Sequence, residues 1–301
     1  MAKKKTGSIA VPYLVTIFLG ILIVGGGTFF LLNYLGILNK ETVLPEPTPR
    51  QVTTTTYADN HTILFILDKP DEICSSTFVL MRSVPKDKRL VFLGLPTNTI
   101  AVVDGNQQNL KSAYDTGGSA GAVNFTEQLF GITVDRYMKL DSAAFEKICD
   151  ILGGVTYPIP ADIALFNGDG SELALNAENI NKYVTYAAFK DGEVERAYNV
   201  SSIISAMVNQ SNSVRIADNL DNYFNSIVNM ADTNITAVDY KNHKVAIKDM
   251  LERGTSIATS YYLNGENAYS DFIPSQSFIN DFVDTYYSYN ENKGEQTSES
   301  E

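Results

Sequence analysis

Apolar residues fall along this chain in one long block near the start and many short blocks after it. The long block is Val15–Leu38, and no charged residue lies between Thr6 and Asn39. It exceeds the roughly 20 residues needed to cross a bilayer core. Lys3, Lys4 and Lys5 precede it and only Lys40 follows closely, which places the N-terminus in the cytoplasm and the remainder outside. A cleaved leader would have a shorter apolar region, about 7–15 residues, ending at a small-x-small site. The pattern therefore predicts a cytoplasmic basic tail (1–8), a single transmembrane helix acting as a signal anchor (9–38) and an extracellular remainder.

The short blocks predict the extracellular part. Residues 39–57 contain "PEPTPRQVTTTT" and read as an extended Pro/Thr linker. "NENKGEQTSESE" closes the chain without an apolar residue, so 289–301 reads as a disordered acidic tail. Between them, 58–288 should fold. "TILFILD" (Thr62–Asp68), "TFVLMRSV" (Thr77–Val84) and "RLVFLGL" (Arg89–Leu95) are near-continuous apolar runs, as strands covered on both faces are. "NLKSAYDTGG" and "AGAVNFTEQLF" read as helices ending at glycines, and "VDRYMKLD" as a strand. "SAAFEKICDILGG" reads as a helix capped by Ser142. Helices follow at "NAENINKYVTYAAF", "NVSSIISAMVNQ" and "LDNYFNSIVNMA", and "TAVDYKNHKVAIKDML" suggests a pair. Strands alternating with amphipathic helices imply an α/β fold, a layered α/β/α domain around a mostly mixed sheet.

Charge and composition narrow the chemistry. The formal net charge is -12, and there is no basic stripe, which argues against a nucleic-acid partner. Two cysteines, Cys74 and Cys149, and two histidines, His61 and His243, cannot make a disulfide framework or a Cys/His-rich metal site. One Cys74–Cys149 bridge stays open beside two separate thiols. Gly117–Gly121 satisfies Gly-x-Ser-x-Gly, but a nucleophile elbow needs a strand before its serine, and a helix-like segment precedes this one. Asp135 and Asp141 suit strand-end or capping roles better than a catalytic pair. Asp218–Asp232 lacks the glycine and oxygen spacing of a calcium loop. The Tyr-rich stretch from Tyr261 to Asn290 reads as packing, with sugar stacking as the alternative.

Four segments, "RLVFLGLPTNT", "NLKSAYDTGG", "FTEQLFGITVDRYMKLDSAAFEKICDILGGVTYPIP" and "LNAENINKYVTYAAFKDGEVERAYNVSSIISAM", together resemble the LytR-CpsA-Psr family of Gram-positive cell-envelope proteins. The likeness spans about 62–210. It implies an α/β domain with an apolar tunnel for a polyprenyl (pyro)phosphate lipid, whose glycan is transferred to peptidoglycan. Arginines would grip the phosphates, with Mg²⁺ bridging them and aspartates holding metal or acting as base. Phosphoryl oxygens call for guanidinium donors and a hard cation with oxygen ligands.

This chain departs from that pattern where the charges should be. Thr97 and Asn98 stand in place of the family's Arg-Asp in its Pro-Arg-Asp-Thr turn. Cys74-Ser75-Ser76-Thr77 replaces Arg-Ser-Asp-Thr. Thr185 and Ala187 replace the two arginines of Tyr-Val-Arg-x-Arg. Arg196 matches a family arginine, Asn199 and Val200 fall where Arg-Gln is expected, and Asp68 falls near an early family aspartate. No catalytic residue is assigned; the family positions are occupied by Ser76, Thr97, Asn98, Thr185 and Ala187. Arg196, Thr97, Asn98, Arg82 and Lys111 are the expected ligand-binding residues. No metal site or cofactor is expected, with Mg²⁺ only if transfer is retained. The expected function is binding of polyprenyl phosphate lipid, cell-wall glycan or an envelope protein by a catalytically impaired member. An active transferase with a site rebuilt from Arg82, Arg89, Arg136 or Arg196, helped by Lys111, is the first alternative. A purely structural membrane-tethered module is the second.

Overall fold

A computed structural model describes residues 55–68, 76–159, 171–186, 188–210, 213–252 and 256–288. The predicted tail and anchor, most of the linker, Cys74, Ala187 and the acidic tail lie outside these. No helix among the described residues is long and apolar enough to cross a membrane.

The strands follow the apolar runs: β1 His61–Leu67, β2 Thr77–Val84, β3 Arg89–Leu95, the hairpin β4 Ile100–Val103 and β5 Asn106–Asn109, then β6 Arg136–Leu140, β7 Val155–Pro158, β8 Glu172–Leu175, β9 Asp232–Thr233, β10 Ala258–Tyr261, β11 Gly265–Ala268 and β12 Asp271–Pro274. The helices are α1 Leu110–Phe130, α2 Ser142–Leu152, α3 Ile180–Val184, α4 Gly192–Val208, α5 Ser213–Asp218, α6 Leu220–Val228, α7 Ala237–Glu252 and α8 Gln276–Tyr286. Six strands form one sheet in the order β10-β3-β2-β1-β6-β9. β1 runs parallel to β6 and antiparallel to β2, β2 antiparallel to β3, and β3 parallel to β10. The sheet is mixed, as expected.

Alternation along the strands sends side chains to two separate cores. Leu64, Ile66, Phe78, Leu80, Val91 and Leu93 pack with Leu110 and Phe125 of α1 and Ile279 and Phe282 of α8. On the other face Leu67, Val79, Phe92, Met138 and Leu140 meet Phe145, Ile148 and Cys149 of α2 and Val200 and Ile203 of α4. These are the two helical layers. Burial among them pushes the Cys149 thiol up to about 11, so it stays a neutral thiol at ordinary pH.

Several local expectations change. Asp141, not Ser142, caps α2: its carboxylate accepts the Ala144 N–H at 2.7 Å. Residues 237–252 form one helix rather than a pair. The Gly-x-Ser-x-Gly stretch lies inside α1, where Gly118 breaks the helix at φ 58° and ψ −147°, a region essentially closed to side-chain-bearing residues. No strand delivers Ser119, so the hydrolase motif fails on geometry. The Tyr-rich C-terminal stretch does pack, burying Phe272, Ile279, Phe282 and Tyr286.

Candidate functional site

On the α2/α4 face the sheet and helices do not meet fully. They enclose a cavity of about 370 Å³. Its floor is Ile63, Phe65 and Leu67 of β1, Met81 of β2, Leu90 and Phe92 of β3, and Met138 and Leu140 of β6. Its walls are apolar side chains of α2, α4, α5, α6 and α7. Ile63, Phe65, Met81 and Leu90 are central-strand residues, yet only partly buried, because they face this space. An apolar void of this size forfeits packing unless something apolar fills it. Because β1 has seven residues, the floor runs roughly 20 Å along the strands.

The cavity ends differ in chemistry. At the C-terminal ends of the parallel pair β1 and β6, Leu67, Leu140 and Phe145 are shared with a small polar pocket of about 10 Å³. This pocket adds Asp68, Thr77, Asp141, Ser142, Asn181, Val184, Thr185 and Arg196. Ligands of α/β sheets commonly sit outside the carboxyl ends of parallel strands. At the opposite end stand Asp59, His61, Asp239, Tyr240 and His243.

Arg196 sits in the pocket because α4 lies directly on β3. A Cβ at Gly94 would come within 2.0 Å of the Ala197 carbonyl oxygen, so only glycine permits that approach. Arg196 is 4% exposed, and its guanidinium is already occupied. Nε donates to Glu193 Oε1 at 2.9 Å and Nη2 to Glu193 Oε2 at 2.6 Å. Nη1 donates to the Thr77 hydroxyl, and Nη2 also to the Ser76 carbonyl at 3.3 Å. The Thr97 hydroxyl donates to Glu193 Oε2 at 2.7 Å. A bidentate pair of this kind is the strong form of a charge-assisted contact. Asp68 Oδ1 accepts from Ser76 Oγ at 3.1 Å and from the Tyr114 hydroxyl at 2.8 Å. Burial, and then Asp68, raise the Tyr114 phenol well above its ordinary value, so it remains a donor.

The structure brings Ser76, Thr77, Thr97, Thr185 and Arg196 together here and sends the other predicted residues elsewhere. Asn98 is spent on the β11–β12 hairpin: its Nδ2 donates to the Ser270 carbonyl at 2.9 Å and its own carbonyl accepts from Phe272 N–H at 2.9 Å. Lys111 reaches the site only through its backbone, which donates to the Thr97 carbonyl at 2.9 Å; its ammonium pairs with Asp115. Arg82 points to the opposite face of the sheet, held by Thr62 Oγ1 at 2.9 Å, the Tyr286 carbonyl at 3.3 Å and the Tyr287 ring. Arg89 lies over the Tyr286 ring on that face as well. Arg136 makes a two-pronged pair with Asp239 at 2.9 and 2.5 Å. Of the cations proposed for a rebuilt site, only Arg196 is present. Sequence reasoning missed Glu193, whose spacing of three from Arg196 on one helix was the available signal. It also missed Asn181, whose Nδ2 donates to Glu146 Oε1 at 2.6 Å.

The carboxylates that line this pocket, where the resemblance implies Mg²⁺, are Asp68 and Asp141. Among the described residues no three His, Cys, Asp or Glu side chains converge on a point that could hold a metal ion. Glu193 is committed to Arg196 and Thr97, and Asp141 Oδ1 to the α2 cap.

Comparison with known proteins places the fold. The chain is 24% identical over 216 residues to "Polyisoprenyl-teichoic acid--peptidoglycan teichoic acid transferase TagU" of Bacillus subtilis (strain 168), covering 65% of this chain and 69% of that protein. Among solved structures it matches a protein from Eubacterium siraeum DSM 15702 with TM-score 0.66 and 21% identity, over 76% of this chain and 92% of the other. It matches TagT bound to LI-WTA with TM-score 0.60 and 18% identity, over 78% and 93%. The LytR_cpsA_psr family model matches residues 40–295, and the chain therefore belongs to that family.

Proposed function

We propose that this chain is a membrane-anchored cell-envelope protein whose external domain holds a long-chain prenyl-type lipid and has lost efficient phosphotransfer. The uncharged run from Thr6 to Asn39 and the lysines before it support the anchor and its orientation. The observation that carries the lipid reading is the apolar cavity of about 370 Å³, which shares the lining residues Leu67, Leu140 and Phe145 with one small pocket bearing polar side chains. A flexible hydrocarbon fits such a channel, with its polar end at the pocket. The impairment rests on Arg196. Its guanidinium is neutralised by Glu193, and Thr97 supplies a hydroxyl rather than a charge.

A second reading, an active transferase moving glycopolymer from a polyprenyl carrier to peptidoglycan, is favoured by the transferase named among its relatives. One experiment separates the two. Full-length protein in detergent is titrated with polyprenyl phosphate, then incubated with a polyprenyl-linked glycopolymer, peptidoglycan and Mg²⁺. Binding without transfer is the expected result. Mg²⁺-dependent turnover overturns the impairment, and absence of both overturns the lipid reading in favour of a structural module.

A further inference from the structure

One wall of the cavity is held differently from the others. α2, α4, α5 and α7 each sink side chains into the interior, among them Phe145, Val200, Ile216 and Met250. α6 buries none. Its apolar side chains, Leu220, Tyr223, Phe224, Ile227 and Val228, line the cavity instead and stay half-buried, while Asp221, Asn222, Asn225 and Ser226 on its other side are exposed. The fastenings of α6 are on the surface. Asp221 Oδ1 accepts from the Tyr240 hydroxyl at 2.7 Å, and both carboxylate oxygens accept from Lys244 Nζ at 2.7 Å. The Phe224 ring stacks on that of Tyr240 with centres 4.0 Å apart, and Arg215 Nη1 donates to the Tyr223 hydroxyl at 3.3 Å. Asp221 is 63% exposed and Lys244 38%, and ion pairs that open to water add little stability. The flanks of α6 are firm by contrast. Before it, Ile216 and Ala217 of α5 are buried with Met250 and Leu251 of α7. After it, β9 pairs with β6, and Lys139 with Asp232 at 3.0 Å. α7 itself is pinned near its start by Arg136–Asp239 and near its end by Lys88–Asp249.

Building on the lipid reading above, we propose that α6 is a lid that swings outward on Asn219 and Asn229 to admit a hydrocarbon chain sideways into the cavity, and that the contacts of Asp221 with Tyr240 and Lys244 set how often it opens. Asn219 joins α5 to α6 with a non-helical backbone, φ −109° and ψ 19°, and Asn229 ends α6 and leads into a turn. Element-terminal positions of this kind are where hinges absorb their change in φ and ψ. A segment with few buried contacts opens locally at a fraction of the free energy of global unfolding. The two ends of the cavity are poorer routes. The pocket beside Arg196, about 10 Å³, is too tight to pass a chain. The opposite end is ringed by Asp59, His61, Asp239 and His243, polar groups that hydrocarbon would strip of water without replacing it. The face that α6 turns to the cavity is apolar along its whole length, so a chain entering beneath it meets apolar surface, and closure of α6 buries both.

Two measurements on the full chain in detergent micelles test this. Hydrogen exchange without lipid is expected to label the amides of α6 at least about tenfold faster than those around Ala246 and Met250 in α7, and added polyprenyl phosphate is expected to slow them. Stopped-flow mixing with a fluorescent polyprenyl phosphate is expected to show Asp221→Asn raising both the association and the dissociation rate by about three- to tenfold, with Kd changed by less than about threefold. Lys147→Ala, which breaks an exposed pair with Asp150 on α2 at 3.7 Å, should leave both rates at the wild-type values. Amides of α6 as protected as those of α7 overturn the lid. Asp221→Asn with unchanged rates, or Lys147→Ala with rates raised as much, overturns the role of the Asp221 contacts. A wild type that binds no polyprenyl phosphate overturns the lipid reading, on which the exchange of α6 without lipid does not depend.

Discussion

Glu193 and Arg196 close on each other across a single helical turn, carboxylate to guanidinium, at 2.9 and 2.6 Å. The acid precedes the base at a spacing of three, an order that suits the helix dipole. What distinguishes this pair from a surface i,i+3 bridge is that Arg196 is 4% exposed while Glu193 is about one-third exposed. The pair therefore holds a buried charge in place at the head of an apolar channel.

Removing one partner tests that placement. Arg196→Met leaves the Thr77 hydroxyl and Ser76 carbonyl without their donor and Glu193 without its counter-ion. Breaking a buried pair costs about 3–5 kcal/mol, and the exposure of Glu193 puts this case near the low end. Chemical denaturation of the purified protein should show that loss as a lower midpoint with an unchanged slope. A loss below about 0.5 kcal/mol, the size expected of a surface pair, would contradict the buried assignment.

Gly94→Ala should disturb the same pair from a distance. The added methyl meets the Ala197 carbonyl, so α4 must lift off β3. Overpacking of this kind costs about 1–3 kcal/mol, or roughly 2–4 °C in Tm per kcal/mol for a domain of this size. Differential scanning calorimetry reads the shift, and lipid binding should weaken with it, because Arg196 and Thr97 no longer meet through Glu193.

The opposite end of the channel predicts a pH dependence. His61 sits 4.6 Å from His243, ring centre to ring centre, and 3.5 Å from Asp135. Burial lowers its pKa, His243 and Arg136 lower it further, and Asp135 and Asp239 offset only part of this. The unfolded chain therefore takes the proton first. Stability is complete above the ordinary imidazole value and falls as pH drops through it. Asp239 adds a second loss at lower pH, because Arg136 holds its carboxyl well below the usual range. His61→Phe should flatten the decline between about pH 7 and 5 and leave the more acidic one. Denaturation midpoints across that range decide it.

Much of the sheet was legible because β1, β2 and β3 are short apolar runs whose alternation serves two cores. Helix boundaries were less so. Asp141 and Ser142 are both good caps by residue type, and only the end of β6 at Leu140 decides that Asp141 takes the role. The stretch "TAVDYKNHKVAIKDML" suggests a pair of helices, yet 237–252 is one continuous helix, with Ala246, Met250 and Leu251 buried toward its C-terminal end. β10 was missed because a four-residue strand containing Thr259 and Ser260 owes its existence to pairing with β3, far away in sequence. At the site, the neutral side chains of Ser76, Thr97 and Thr185 could be read from residue identity alone. The link from Thr97 to Glu193 could not, since it joins positions 96 residues apart.

Whether a lipid fills the apolar channel is measured most directly with a space-filling variant. Ile63 lies on the channel floor and is partly buried only because it faces that space. Wild type and Ile63→Phe are purified at full length from native membranes, and the lipids extracted from each are identified by mass spectrometry. A prenyl-chain lipid is expected with the wild type at near one per protein, and its depletion in Ile63→Phe at equal or higher Tm. Wild-type protein that carries no prenyl lipid, or carries one undiminished by the added ring, would contradict the lipid reading.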